Sequence, residues 1–237
     1  MQPRPAAPPR GLLSSVSSAS EALLPSGWPA LDAALGGGWP CGELTELVGP
    51  GRSSLALAAV REAQRAGQPV AWIDGSGTFC PATANVELGA LVLVSPQGEN
   101  WSSAVMRAAV GRAAVGRRAK QRALLAADLL LRSRAFGLLV LDARGEWPPL
   151  SAWFRLARQA RQARCVLLLL AGETPMAGSA AALTLRLAQR HVEVPGWALP
   201  PAPECEVAVL RRRAAAGGDT FVLSTATSGA APRGLNS

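Results

Sequence analysis

Apolar residues in this chain gather in short, nearly unbroken runs, each closed by a glycine, a proline or an acidic residue. Segments 44–48 (LTELV), 70–73 (VAWI), 91–94 (LVLV), 138–141 (LLVL) and 165–170 (CVLLLL) read as strands apolar on both faces. That is the mark of a parallel sheet covered on both sides rather than of a sheet with one wet face. Between the strands lie stretches rich in alanine, leucine and arginine with helical spacing. A short helix is predicted over 30–35, ahead of Gly36-Gly37-Gly38. A longer one follows residues 49–51, with Ser53 or Ser54 as its cap and Gly67 at its close, and another covers 150–161. Residues 101–134 predict either two helices or one helix behind a basic loop, because Gly111 and Gly116 interrupt the near-repeat AVGRAAVGRR. Beyond Gly178 the rhythm changes, and 185–194, 206–211 and 220–224 read as strands without long helices between them. The fold class expected is α/β, a mainly parallel twisted sheet with helices on both faces and an antiparallel C-terminal extension.

A chain of 237 residues with 49% hydrophobic positions has enough apolar side chains for one sizeable core. The proline-rich opening and the serine-broken stretch after it predict a disordered N-terminal tail over 1–23. The core domain is expected over 24–224 and a flexible C-terminal tail over 225–237. The net charge of +8 suits nucleic acid or an acidic protein face as partner, or else reflects solubility together with an arginine bias, since Lys120 is the only lysine. Cys41, Cys80, Cys165 and Cys205 are scattered, and His191 is the only histidine, so neither a zinc site nor a disulfide framework is indicated. Reduced structural cysteines, and hence a cytoplasmic location, are the expectation. The longest apolar run, residues 166–171, falls far short of the roughly 20 residues of a membrane span, so no membrane partner is expected.

The chemistry expected of a parallel sheet sits beyond the carboxyl ends of its strands. There the chain carries Gly49-Pro50-Gly51-Arg52-Ser53-Ser54 between a strand and a helix, the setting of a phosphate cradle. A working cradle has the form GxxxxGK[ST], with four residues between the glycines and a lysine for the outer phosphates. Here only Pro50 separates them and Arg52 stands for lysine. From the residues alone the segment is a tight strand-to-helix turn or a weak anion site. Asp142, which follows the strand 138–141, is a buried cap, a partner for Arg144 or a metal ligand.

ALDAALGGGWPCGELTELVGPGRSSLALAAV, followed by GQPVAWID and later by FGLLVLDARG, resembles the nucleotide-binding core of RecA-type recombinases over about residues 24–194. The lead itself, with Leu24-Pro25-Ser26-Gly27-Trp28, Leu31-Asp32 and then LGGGWPCGELTEL, resembles that of the ImuA family, bacterial SOS-induced proteins encoded beside ImuB and an error-prone polymerase. The resemblance implies a RecA-like fold. It places the phosphate-loop lysine on Arg52, the threonine on Ser53, the water-activating glutamate on Ser76, the adenine-holding pair on Cys80 and Thr83, and the magnesium-associated aspartate on Asp142. Loss of a general base costs about 10²–10⁴ in rate, so no ATPase activity and no cofactor are expected. The resemblance then implies a non-catalytic accessory of SOS mutagenesis and translesion synthesis. Its partners would be a RecA-type recombinase, an ImuB-like polymerase adaptor and an error-prone polymerase. The alternatives are an ATP-dependent recombinase paralogue, with Glu46 or Glu173 substituting for the missing base, and a basic DNA-binding module.

The module reading rests on Arg107, Arg112, Arg117, Arg118, Lys120 and Arg122, with Arg132 and Arg134 beyond. These would contact DNA phosphates or an acidic partner, or form a solvated helix face. No aromatic residue lies between Arg107 and Arg134, which weighs against base stacking. Arg155, Arg158, Arg161 and Arg164 form a second basic run. Arg211, Arg212 and Arg213 are expected to open a solvated hairpin.

Overall fold

Four of the apolar runs form strands in which every residue is buried: β3 (Leu44–Val48), β4 (Val70–Asp74), β6 (Leu138–Asp142) and β7 (Val166–Leu170). The structure, a computed structural model, describes residues 22–96, 112–143, 147, 149–190, 204–213 and 220–224. The predicted tails therefore lie outside the described residues, apart from 22 and 23.

The remaining strands of the main sheet are β5 (Leu91–Val94), β8 (Leu183–Arg190), β9 (Glu204–Arg212) and β10 (Thr220–Ser224), and the order is β10-β9-β8-β3-β7-β6-β4-β5. Pairing is parallel from β8 through to β5 and antiparallel for β8–β9 and β9–β10. The α/β class and the antiparallel C-terminal extension are thus as expected. β5 departs from burial on both faces: it is an edge strand, with Val92 and Leu93 exposed.

Side chains alternate across the sheet and feed two cores. Leu47, Val70, Trp72, Val140 and Leu168 point to the face covered by α1 (Pro29–Leu35) and α2 (Arg52–Arg65). Leu44, Ile73, Leu139, Leu141 and Leu169 point to the other face. After the four-residue α3 (Pro81–Ala84), that second face is covered by α4 (Arg112–Ser133) and α5 (Leu150–Ala163). Small residues let the helices approach closely, Ala56, Ala59 and Ala63 on α2 and Ala123 and Ala127 on α4, while Trp153 and Leu156 of α5 fill the remaining volume. Each large apolar side chain buried in this way stabilises by about 1.5–3 kcal/mol.

The helix ends differ from expectation in one place. Gly51, in the left-handed region at φ 85°, is the N-cap of α2, and neither Ser53 nor Ser54 is, because the turn needs a positive φ before the helix starts. The predicted close is present: Gly67 has φ 67° and Gln68 N–H donates to Ala63 O at 2.9 Å, a glycine-ended helix in which a freed carbonyl is satisfied. α4 runs through Gly116 without a break, and its start at Arg112 leaves residues 101–111 outside the described set.

One feature had no expectation from the sequence, and another departs from it. A two-stranded antiparallel ribbon joins β1 (Leu23–Leu24) to β2 (Trp39–Pro40). The arginine triplet at the end of β9 is a tie and not simply a solvated hairpin. Arg212 donates to the α1 carbonyls of Leu35 at 2.8 Å and Ala34 at 3.4 Å, and Arg213 pairs with Glu43 at 2.8 Å, where Arg161 of α5 also arrives. Among the described residues no helix is long and apolar enough to cross a membrane.

Candidate functional site

The carboxyl ends of the parallel strands β3, β7, β6 and β4 lie in that order along one edge of the sheet, and the residues singled out for phosphate chemistry are spread along that edge. β3 ends at Val48 and turns through Gly49, Pro50 and Gly51 into α2. The turn is held from several sides. Gly49 N–H donates to Gly172 O at 3.0 Å, and Arg52 Nη1 folds back to donate to Gly49 O at 2.5 Å. β8 continues to Arg190, beyond the end of β3, so that a Cβ on Gly49 would overlap the carbonyl oxygen of Leu187. The N-cap itself is flanked by Cys205 Sγ and Leu187 Cδ2, which would lie 3.5 and 3.7 Å from a Cβ on Gly51. Ser53 and Ser54 occupy the first turn of α2.

Parallel register sets Asp74 beside Asp142 at the ends of β4 and β6, both nearly inaccessible to solvent. The loop after β4 supplies hydrogen-bond donors to both. Asp74 accepts backbone N–H groups from Thr78 at 3.0 Å and Phe79 at 3.1 Å. Ser76 Oγ lies 2.6 Å from Asp142 Oδ2 and 3.3 Å from Asp74 Oδ1, and Thr78 Oγ1 is 2.7 Å from Ser76 Oγ. A hydroxyl has one proton, so the shortest distances make a chain in which Thr78 donates to Ser76 and Ser76 to Asp142. Phe79 packs at a tilt of 48° against Trp72 with centroids 5.0 Å apart, which anchors the loop to β4. Trp147, packed at a tilt against Trp153 with centroids 5.8 Å apart, closes on Gly75. Arg144, named as a possible partner for Asp142, lies outside the described residues.

Glu46, proposed from the sequence only as a substitute base, is fully buried in β3. Its Oε1 accepts backbone N–H groups of Met176 at 2.5 Å and Ala177 at 3.0 Å, while Thr184 Oγ1 approaches Oε2 at 3.5 Å. The carboxylate thus ties the loop after β7 to the sheet, and Glu173, the other substitute, is exposed on that loop.

Cys80 and Thr83 are adjacent at the start of α3, where Thr83 Oγ1 donates to Cys80 O at 3.3 Å. Hydrogen bonding from Thr83, by side chain and then backbone, draws the exposed Cys80 thiol below its ordinary value. Burial pushes Cys41 and Cys205 up and carries Cys165 to about 12. A lower pKa raises the thiolate fraction at neutral pH, and thiolate is the nucleophile. Iodoacetamide at pH 7.5 is therefore expected to label Cys80 first and leave Cys165 unmodified until the protein unfolds, as peptide mass mapping would show. Prior labelling of Cys165 would contradict the order.

Of the basic cluster, Arg107 lies outside the described residues. Arg112, Arg117, Arg118, Lys120 and Arg122 fall on one helix, α4, with Lys120 half-buried and Arg122 exposed. Among the described residues no group of three or more histidine, cysteine or acidic side chains is placed to hold a metal ion.

No protein-family model and no curated protein matches the chain. Among solved structures it is similar to the RadB recombinase, with a TM-score of 0.57 and 20% identity over 85% of this chain and 96% of that one. The fold is RecA-like. In this RecA-like core the loop from 49 to 54 follows β3, and the Asp74–Asp142 pair ends the adjacent strands β4 and β6, with β7 between β3 and β6. Of the partners that fill them, Leu187 and the carbonyl of Gly172 come from segments remote in sequence and were not foreseen, whereas Thr78 lies only four residues beyond Asp74.

Proposed function

We propose that the chain is a non-hydrolysing RecA-like accessory protein of SOS mutagenesis and translesion synthesis. It works through contacts with a RecA-type recombinase and an ImuB-like polymerase adaptor. The observation that carries this reading is the state of the phosphate turn. A phosphate cradle needs loop N–H groups and a cation turned outward. Here the Gly49 N–H is taken by Gly172, the Arg52 guanidinium reaches back to Gly49, and Leu187 and Cys205 flank the helix N-terminus. Ser76, at the position of the water-activating glutamate, gives its proton to Asp142 and is no base for an attacking water. What supports a binding role is a RecA-like core kept intact around that turn.

Titration calorimetry with ATP and magnesium is expected to show no heat at millimolar nucleotide. Saturable, magnesium-dependent binding would mean that residues 49–54 still cradle phosphate and would put the ATP-driven paralogue first. Pull-down with purified recombinase and adaptor tests the partners: the chain is expected to retain at least one, and retention of neither would sink the accessory role.

A further inference from the structure

α4 lies on the sheet through Ala123, Leu124, Ala127 and Leu131, so its opposite side faces outward. Along that side run Arg122, Leu125, Leu129 and Arg132, spaced three, four and three residues apart and hence on one line of the helix. All four are exposed, and the two leucines, each 58% accessible, have the highest exposure among the large apolar side chains described. α5 lies beside α4, and its Arg155 and Arg158 are also exposed. The two helices contain a single carboxylate, Asp128, and it is already shared: Arg132 Nε is 2.9 Å away and Arg155 Nε 3.6 Å.

We propose that this outer α4–α5 face docks an acidic protein segment carrying apolar anchors, with Leu125 and Leu129 at the centre and the arginines around them. The inference rests on the accessory reading above and names the surface for one of its contacts. Charge complementarity selects the occupant: guanidinium groups border the face, and the one carboxylate on these two helices is paired within the protein, so among the described residues of the helices no unpaired carboxylate opposes an acidic partner. The two leucines separate this from a nucleic-acid surface, which gains nothing from exposed aliphatic side chains. They separate it equally from a solvated helix face. Buried apolar anchors inside a polar rim are the usual source of affinity in such contacts.

The probe is a fluorescein-labelled helical peptide of about 16 residues, long enough to span the stripe, with glutamates on its polar side and two leucines four residues apart. Anisotropy on the full chain is expected to give saturable binding. The Leu125→Ala/Leu129→Ala variant is expected to weaken it about tenfold or more, and Arg122→Glu/Arg158→Glu about three- to tenfold, with a steeper salt dependence in wild type. All the replaced side chains are exposed, and circular dichroism checks that the variants are folded. A peptide of the same composition with its leucines on opposite sides is expected to bind at least about tenfold more weakly. No binding by wild type at about 1 mM overturns the proposal. So does binding that ignores the leucine variant, competition by single-stranded DNA that depends on the arginines alone, or loss of a self-associated species in the leucine variant. Recombinase or adaptor retained equally by wild type and leucine variant overturns this docking face and leaves the accessory role standing. Retention of neither by wild type removes the accessory role itself.

Discussion

Replacing Glu46 with alanine is expected to lower the unfolding free energy by about 3–5 kcal/mol. The carboxylate sits in β3 with no solvent access and satisfies the backbone N–H groups of Met176 and Ala177. Alanine leaves both donors buried without an acceptor and opens a cavity between β3 and the loop after β7, two penalties that add. Glutamine keeps one carbonyl oxygen and the volume, so Glu46→Gln is expected to cost about 1–2 kcal/mol, the difference between a charged and a neutral acceptor. Glu173→Ala, on the exposed part of the same loop, serves as control and is expected to stay within about 0.5 kcal/mol of wild type. Urea unfolding followed by circular dichroism measures all three. A Glu46→Ala midpoint indistinguishable from wild type would show that the loop relaxes and rehydrates its own donors.

Gly49→Ala is expected to cost about 2–4 kcal/mol, and Gly67→Ala only about 1 kcal/mol, although both glycines have a positive φ. The conformational penalty is common to the two. What separates them is space: a Cβ on Gly67 meets nothing within 4 Å, whereas one on Gly49 overlaps the carbonyl oxygen of Leu187, an atom of the β8 backbone. Relief requires β8 to move away from β3 at the point where the parallel core meets the antiparallel extension. Equal losses in the two variants, by the same urea titration, would mean that β8 shifts freely and that Leu187 does not hold the turn.

The pattern of apolar runs made the strands legible to within a residue or two, because a strand buried on both faces has no polar alternation to confuse it. α1 and α2 followed from their alanine content and the glycines that close them, Gly36 and Gly67, whereas α4 and α5 end at Arg134 and Arg164 in the left-handed region, and α4 runs through the Gly116 expected to interrupt it. The cap of α2 was misread because serine is the commoner capping residue, while the turn before it requires a left-handed backbone, which Gly51 supplies. The ribbon of β1 and β2 is two residues on each side, too short to leave a periodicity. At the site, the resemblance pointed to Ser76 and Asp142, but that Ser76 hydrogen-bonds Asp142 across 66 positions depends on the parallel register of β4 and β6. Glu46 was visible only as an acidic residue in an apolar run. Its partners, Met176 and Ala177, offer backbone N–H groups, which no side-chain pattern reveals.

The position of β3 has a consequence for how the protein is made. This strand is the first of the large sheet to leave the ribosome, yet it lies in the interior of the sheet, between β7 and β8. Both neighbours are encoded more than a hundred residues later, whereas β4, β5 and β6 can pair among themselves as they emerge. Until residues 166–190 have been synthesised, β3 keeps its Leu44, Leu47 and Val48 side chains and both rows of its backbone hydrogen-bonding groups without their sheet partners. Non-local closure of this kind is slow, and a waiting apolar strand is prone to aggregate. At that stage only β4, β5 and β6 of the eight strands can have paired, so the nascent chain is expected to be most prone to aggregation while the centre of its sheet is still missing.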